Sequence, residues 1–452
     1  MTDVVDLAVV GPGPAGLATA LEAERLGLSV ALIDEQPAPG GQIWRGIEHA
    51  QAAETLGEDY LAGRKDAARL RAGGVQYRPA TTLWHLDPDG ELSLAHDGRT
   101  SRLEARRVVL ATGAMERPVP IPGWTLPGVM TAGAAQILLK TAAAMPAGPT
   151  VLAGQGPLLW LIAQQLIAAG APPAAILETR RAGTVATALA HLPGLWRGRA
   201  LVRKGLAMMR AVARAGVTVI RGVRGLRAEG VERLERVTWN GGSRDVATLL
   251  LHEGVIPNVQ VSLALGLVHD WDQAQLCWRP CIDAFGASSA ERIAIAGDGA
   301  GIGGWQAARA LGRLAALDAA HRLGRIDRAR RDAAAEPLLA ERARALAIRP
   351  FLDALYRPAP EVLTPRDDAT IVCRCEEVTA GQVRQAARLG ATGPNQAKAY
   401  LRCGMGPGQG RLCGPTVAAL IAAERGITIP EAGTYRPRAP YKPLTVGELA
   451  HG

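Results

Sequence analysis

The chain has 452 residues, a net charge of +9, 48% hydrophobic residues and six cysteines. That length holds two to four domains with large cores, and so few, clustered cysteines argue against a disulfide framework and for metal or redox thiols in a reducing cytoplasm. The positive charge comes from arginines dispersed among acids with no basic–aromatic stripe, so nucleic acid is not an expected partner, and no apolar run reaches the ~18 residues of a membrane span.

Residues 1–6 carry no basic leader and run straight into an apolar strand, 6–10. Gly11-Pro12-Gly13-Pro14-Ala15-Gly16, a G-x-G-x-x-G, follows it. Helical periodicity then covers 17–26, Gly27 stops it, and Val30-Ala31-Leu32-Ile33 is a second strand ending at Asp34-Glu35. The glycines supply the tight turn, the approach to a pyrophosphate and close helix–strand packing. The helix N-terminus faces the phosphates with unpaired N–H groups. Asp34 falls about 20 residues on, where a carboxylate accepts ribose hydroxyls.

Further along, strand 108–110 ends in Ala111-Thr112-Gly113. Thr150-Val151-Leu152-Ala153 opens a second βαβ unit through Gly154-Gln155-Gly156, with Leu159 in the third glycine's place and Glu178 after strand 175–177. Leu159 would push helix and strand apart, and Glu178 disfavours a 2′-phosphate. NAD(P) or another nucleotide at Gly154, Gly156 and Glu178 therefore stands beside a purely scaffolding role. Residues 157–169 read as a buried helix, His252 as a structural hydrogen-bonder, and Cys277 and Cys281 as isolated thiols. Strand 293–295 ends in Ala296-Gly297-Asp298-Gly299, with a helix beginning near Gly303. Residues 327–345 read as a solvated helix broken or kinked at Pro337, 357–365 as a linker, and 430–452 as a Pro-rich segment lying extended over a neighbour.

The tail carries Cys373-Arg374-Cys375 and then Cys403-Gly404-Met405-Gly406-Pro407-Gly408-Gln409-Gly410-Arg411-Leu412-Cys413. A Cys-x-Cys followed by a Gly-rich loop with more cysteines is an iron–sulfur layout, since thiolates hold [2Fe–2S] iron in fours.

The Ala-Thr-Gly and Gly-Asp strand ends resemble the two-dinucleotide-domain flavoproteins, the class that includes thioredoxin reductase. The resemblance implies FAD at the first fold, with Asp298 bonding its ribitol. It also implies that Gly41 and Gln42 pass close to the isoalloxazine, with Thr112, Gly113, Gly297 and Gly303 lining the site. A helix starting near Gly303 would stabilise the negative charge of reduced flavin. Gly40-Gly41-Gln42-Ile43-Trp44-Arg45, Pro127 to Gly133, His252 to Asn258 and Ala296 to Ile302 extend the match. Nearly the whole chain resembles the α (A) subunit of bacterial heteromeric amino-acid and opine dehydrogenases: opine oxidases, hydrogen cyanide synthase, and proline or D-hydroxyproline dehydrogenases.

The tail resembles bacterioferritin-associated ferredoxin, where C-x-C precedes Gly-Met-Gly-Pro-Cys-Gln-Gly-Arg-x-Cys. Cys373, Cys375 and Cys413 match ligand positions, but Gly408 stands where a cysteine is expected. Cys403, upstream of that gap, substitutes if the loop folds back. A [2Fe–2S] cluster, a labile cluster and an empty domain all stay open.

The expected class is α/β. An FAD-binding domain spans 1–122 and 282–326, and an NAD(P)-type domain 123–281. A helical bridge and linker cover 327–369, a [2Fe–2S] ferredoxin-like domain 370–426, and an extended tail 427–452. The family implies an electron-transfer subunit with no catalytic residue of its own. It would take electrons from a D-amino-acid-oxidase-like β subunit, with a small [2Fe–2S] third subunit as a further partner. The expected location is cytoplasmic, with peripheral membrane association through the complex as the variant. The alternative is a stand-alone NAD(P)H-dependent flavin oxidoreductase of the ferredoxin or rubredoxin reductase type.

Overall fold

The computed structural model describes residues 3–49 and 53–451. Met1 and Thr2, on which part of the leader expectation rests, and Gly452 of the tail lie outside the described residues. Strand Asp3–Val10 is the centre of the first sheet, and Leu7, Ala8 and Val9 are fully buried, as a parallel strand covered on both faces requires. Val30–Ile33 and then Gln76–Arg78 pair on one side of it in parallel, and Arg99–Leu110 on the other. Beyond Arg99–Leu110 the sheet turns antiparallel through Glu91–His96 and Thr82–Leu86, while Ile293–Ile295 joins its far end in parallel. The chain thus leaves this sheet after residue 110 and returns to it at 293.

The first helix, Pro14–Arg25, starts ahead of the apolar periodicity because Pro14 at its first position already has helical φ. It packs against the long helix Trp305–Arg322, where the Thr19 hydroxyl donates to the Gly312 carbonyl at 3.0 Å.

The excursion builds a wholly parallel five-stranded sheet in the order Thr218–Arg221, Ala175–Glu178, Thr150–Gln155, Thr248–Glu253, Val129–Thr131. Helices Ala132–Ala142, Pro157–Ala168 and Arg199–Arg214 cover one face over Leu152, Ile176 and Leu250. An antiparallel three-stranded sheet spanning residues 227–245 covers the other. Strand Val255–Pro257 then pairs with Ala114–Glu116, which carries the chain back to the first sheet.

Residues 327–345 depart from expectation. Helix Arg328–Leu346 runs unbroken through Pro337, and it is not merely solvated: Ala335 and Leu338 are buried in the core beneath helix Trp305–Arg322. One lost hydrogen bond at a proline is outweighed when the helix has such an anchored face. The stretch expected as a linker holds the short helix Pro360–Leu363.

The cysteine-bearing unit packs helices Ala380–Arg388, Pro394–Leu401 and Gly414–Arg425 around one core, which reaches past residue 426 to Ala432 and Tyr435. The segment after it is mostly irregular but begins and ends in short helices, Ile429–Ala432 and Val446–Ala450, each opened by a capping box. Between them Tyr441 is buried in the first domain, where its N–H donates to the Trp84 carbonyl at 2.8 Å.

Candidate functional site

The first βαβ turn is built by contact. A Cβ on Gly16 would lie 1.8 Å from the Gly11 carbonyl oxygen, so helix and strand meet only because that position is glycine. Across the loop, a Cβ on Gly41 would fall 2.7 Å from the Gly13 Cα, which brings the Gly41-Gln42 turn against the phosphate-type loop. Ala15, next in the loop, touches the second half of the domain, since a Cβ on Gly297 would sit 2.7 Å from the Ala15 Cβ. Thr112 donates to the Asn258 carbonyl at 3.1 Å, and Asn258 N–H donates to the Gly113 carbonyl at 2.9 Å. Asp298 is wrapped by its own loop: one carboxylate oxygen accepts from Gly303 N–H at 2.9 Å and Gly304 N–H at 3.1 Å. Burial nevertheless pushes its pKa up. The structure therefore brings Gly11, Gly13, Pro14, Ala15, Gly16, Gly41, Gln42, Thr112, Gly113, Gly297, Asp298 and Gly303 to one end of the first sheet.

Asp34 is 5% exposed, and its carboxylate accepts from Tyr77 O–H at 3.0 Å and Gln36 N–H at 2.9 Å. Burial raises its pKa to about 6. Its neighbour Glu35 faces outward and pairs with Lys442 of the C-terminal segment at 2.9 Å. The N-terminus of helix Pro14–Arg25 has no side-chain cap, and helix Trp305–Arg322 begins at Gly304, whose N–H the Asp298 carboxylate takes. An uncapped helix N-terminus, a glycine approach and a buried carboxylate with only neutral hydrogen-bond partners fit the pyrophosphate and ribose of FAD.

Sequence reasoning missed Lys140. Its Nζ donates to the Gln42 carbonyl at 2.9 Å and to Gln136 Oε1 at 3.0 Å, and burial lowers its pKa to about 7. Its helix buries Ala132, Ala135 and Leu139, so helical spacing could have placed Lys140 on the inner face. His252 is the hydrogen-bonder expected, with Nδ1 2.7 Å from Glu116 Oε1, and the other Glu116 oxygen accepts from Gly133 N–H at 2.9 Å.

The second fold is closed. Gly154 and Gly156 are buried at the turn, and Leu159, expected to push helix and strand apart, instead fills the core between them with Leu152 and Ile176. Glu178 is 2% exposed, with Arg180 at 3.1 Å and Arg221 at 3.4 Å, so its carboxylate is already paired. Gln155 donates to Glu253 at 2.9 Å and to the Arg357 carbonyl at 3.2 Å, while Arg181 pairs with Glu361 at 2.8 Å. Residues 349–363 thus lie over the strand ends where a second dinucleotide would sit, and the site as it stands does not fit one.

Among the thiols, Cys373, Cys403 and Cys413 are buried, and their sulfurs all lie within 4.8 Å of one another. Cys375 stands outside this group, exposed, its sulfur accepting from Gly408 N–H at 3.3 Å. Of the four cysteines expected at the site, the structure brings Cys373, Cys403 and Cys413 together and leaves Cys375 at the edge of the pocket. The reason is local. Cys403 follows helix Pro394–Leu401 after Arg402, which is in the left-handed region and turns the chain inward. A Cβ on Gly408 would lie 3.1 Å from the Cys375 sulfur, so the missing fourth thiolate belongs beside Cys375, facing a small pocket that Cys373 and Cys413 also line. Four thiolates shared between two irons need that residue, and the residues present do not fit a [2Fe–2S] cluster. Hydrogen bonds from Cys403 and Cys413 hold the Cys373 thiol far below its usual range. Tyr435, also missed, covers the trio, and its ring lies where a Cβ on Gly404 or Gly410 would stand.

Comparison with known proteins agrees with this anatomy. Residues 5–312 match the family model described as pyridine nucleotide-disulphide oxidoreductase, and 368–452 match the sarcosine oxidase A3 domain. The opine oxidase A subunit of Rhizobium meliloti (strain 1021) is 44% identical over 98% of both chains. The hydrogen cyanide synthase subunit HcnB of Pseudomonas aeruginosa is 34% identical over 96% of both. Among solved structures, L-proline dehydrogenase from P. horikoshii superposes with a TM-score of 0.72 at 20% identity, covering 99% of this chain and 79% of that one. Thioredoxin reductase from T. acidophilum superposes with a TM-score of 0.50 at 16% identity, covering 71% of this chain and 99% of that one. No helix among the described residues is long and apolar enough to cross a membrane. The chain belongs to the A-subunit family of heteromeric flavin-dependent oxidoreductases that includes HcnB and the opine oxidase A subunits, built on the pyridine nucleotide-disulphide oxidoreductase fold.

Proposed function

We propose that this chain is the FAD-holding electron-transfer subunit of an amino-acid or imino-acid dehydrogenase of the opine or D-hydroxyproline type. It receives electrons from a D-amino-acid-oxidase-like β subunit and passes them to an acceptor. The observation that carries this reading is the contrast between the two nucleotide folds: in the first, Gly11, Gly13 and the Gly41-Gln42 turn keep partial exposure near the Asp34 carboxylate, and in the second Gly154 and Gly156 are buried and residues 349–363 lie over the strand ends. With no open nicotinamide site, electrons reach the first fold from another protein.

Flavin, when bound, supplies the ability to take up two electrons and release them singly. The chain's own residues do the rest. Gly11 to Gly16 and the helix Pro14–Arg25 orient the pyrophosphate, and Asp34 holds the ribose. Asp298 fixes the loop that starts helix Trp305–Arg322, whose N-terminus favours negative charge beside it. Lys140 pins the Gln42 carbonyl and so sets the Gly41-Gln42 turn. Beside Thr112 and Gly113, which bond to Asn258, an apolar cavity lined by Met115, Asn258, Trp271, Trp278 and Tyr435 suits a flat apolar acceptor of the quinone class.

The test is anaerobic. Purified alone, the chain should keep its flavin absorption in the presence of NADH, NADPH or an opine. It should lose that absorption with the opine only when the β-type flavoprotein is added. Rapid bleaching by NADH alone would instead establish the stand-alone reductase.

A further inference from the structure

Cys373, Cys403 and Cys413 arrive from three places: the end of strand Ile371–Cys373, the turn after helix Pro394–Leu401, and the N-cap of helix Gly414–Arg425. Three buried thiols converging from separate elements form one compact shell. We propose that this shell binds a single thiophilic metal ion, zinc, through Cys373, Cys403 and Cys413, in place of a two-iron cluster. The inference goes beyond the electron-transfer reading and does not depend on it.

Geometry separates the two kinds of centre. A two-iron cluster divides four thiolates into two pairs, one on each iron. A tetrahedral ion with Zn–S bonds of ~2.3 Å gathers its sulfurs to ~3.8 Å from one another. All three sulfurs here lie within 4.8 Å of each other, one coordination shell that needs only a small contraction. Cys375, which a cluster would require as a partner, is turned to the Gly408 N–H instead.

A second layer supports the trio. Tyr435 closes over the trio, its ring filling the space that Gly404 and Gly410 leave open, and its buried hydroxyl has no hydrogen-bond partner among the described residues. A donor of this kind orients metal-bound thiolates. The fourth position faces the small pocket shared by Cys373, Cys413, Cys375, Trp124 and Leu412, where water or a swung Cys375 can complete a tetrahedron. The unit has a small core, and a metal is a common staple for one of that size.

The experiment uses the full chain with its flavin, purified without added metal, dialysed against micromolar zinc, and assayed for metals and acid-labile sulfide. The expected result is one zinc per chain and no sulfide. Cobalt in its place should give a sulfur-to-cobalt charge-transfer band with tetrahedral d–d absorption. Both should be lost in Cys403→Ser and kept in Cys375→Ser. Because Cys403→Ser can misfold, residue-by-residue alkylation of the unaltered chain gives an independent reading: zinc should protect Cys373, Cys403 and Cys413 at least tenfold and leave Cys281 unchanged. Two irons with sulfide in anaerobically prepared protein would overturn the proposal. So would zinc binding that survives Cys403→Ser, or no bound metal with no protection.

Discussion

Replacing Asp34 by Asn tests the assignment of the first fold most directly. The Asp34 carboxyl is buried, and its pKa rises from 3.8 to about 6. Between those values the native FAD-free chain holds a proton that the unfolded chain has released, so stability falls as pH rises through the window. A shift of two units corresponds to about 3 kcal/mol of lost stability once pH exceeds 6. Asn carries no charge to desolvate, so Asp34→Asn should remove this fall and be the more stable apoprotein at pH 7. Binding should show the opposite sign. Ribose hydroxyls donate to the ionised carboxylate, so FAD affinity should strengthen as pH rises from 5 to 7 in the unaltered chain. A hydrogen bond to a charged group contributes about 1.5–3 kcal/mol, so Asp34→Asn should weaken FAD binding about 10- to 100-fold at pH 7 and flatten its pH dependence. The assays are urea unfolding of the apoprotein at several pH values and FAD titration by fluorescence quenching. Unchanged FAD affinity in Asp34→Asn would refute the ribose assignment and move it to Glu35.

Three more substitutions probe separate parts of the argument. Gly16→Ala puts a methyl 1.8 Å from the Gly11 carbonyl oxygen, so the helix must shift and the purified chain should carry less than a tenth of the normal flavin, read from its absorbance. Lys140 has a pKa lowered to about 7 by burial, so the native state binds fewer protons than the unfolded state between pH 7 and 10 and stability rises with pH there. Lys140→Met should abolish that rise in thermal melts and, by orphaning the Gln42 carbonyl, cost about 1–3 kcal/mol above pH 8. Gly408→Cys restores the missing ligand beside Cys375 in a position where, apart from its chain neighbours, the Cys375 sulfur is the only described atom within 4 Å of its Cβ. Anaerobic iron–sulfide reconstitution should then give two irons per chain in the variant and none in the unaltered protein.

The first βαβ unit was legible because each of its parts is local. A strand, three glycines, a proline at the first helical position and an acid after the next strand all fall within residues 3–35, and each has one physical reason to be there. Thr112, Gly113, Gly297 and Asp298 lie far apart in sequence but carry strand-end strings that a resemblance could collect. What escaped was long-range. Nothing around Tyr441 announces that it crosses to the first sheet, and Tyr435 gains its role only because glycines at 404 and 410 leave room for its ring. Pro337 misled because a proline's local effect is readable while the packing of Ala335 and Leu338 that offsets it is not. The thiols show the same limit. Spacing and analogy set Cys375 beside Cys373, and what they did not show is that the left-handed turn at Arg402 brings Cys403 next to Cys373 and Cys413.

The two βαβ units share one sequence pattern and differ in structure, most plainly at the acids after their second strands. Asp34 is buried among neutral hydrogen-bond partners, Tyr77 and the Gln36 N–H, so its charge is left for a ligand to stabilise. Glu178 is buried between Arg180 and Arg221 and has nothing left to offer. Once that carboxylate is neutralised internally, a ribose gains little by displacing the arginines, and residues 349–363 can settle over the strand ends. Leu159 fits the same history: a third glycine serves close packing at a phosphate site, whereas a leucine there adds apolar burial to a scaffold. The two units share an architecture and differ in the partners of these carboxylates, in Leu159 and in the cover of residues 349–363 over the second.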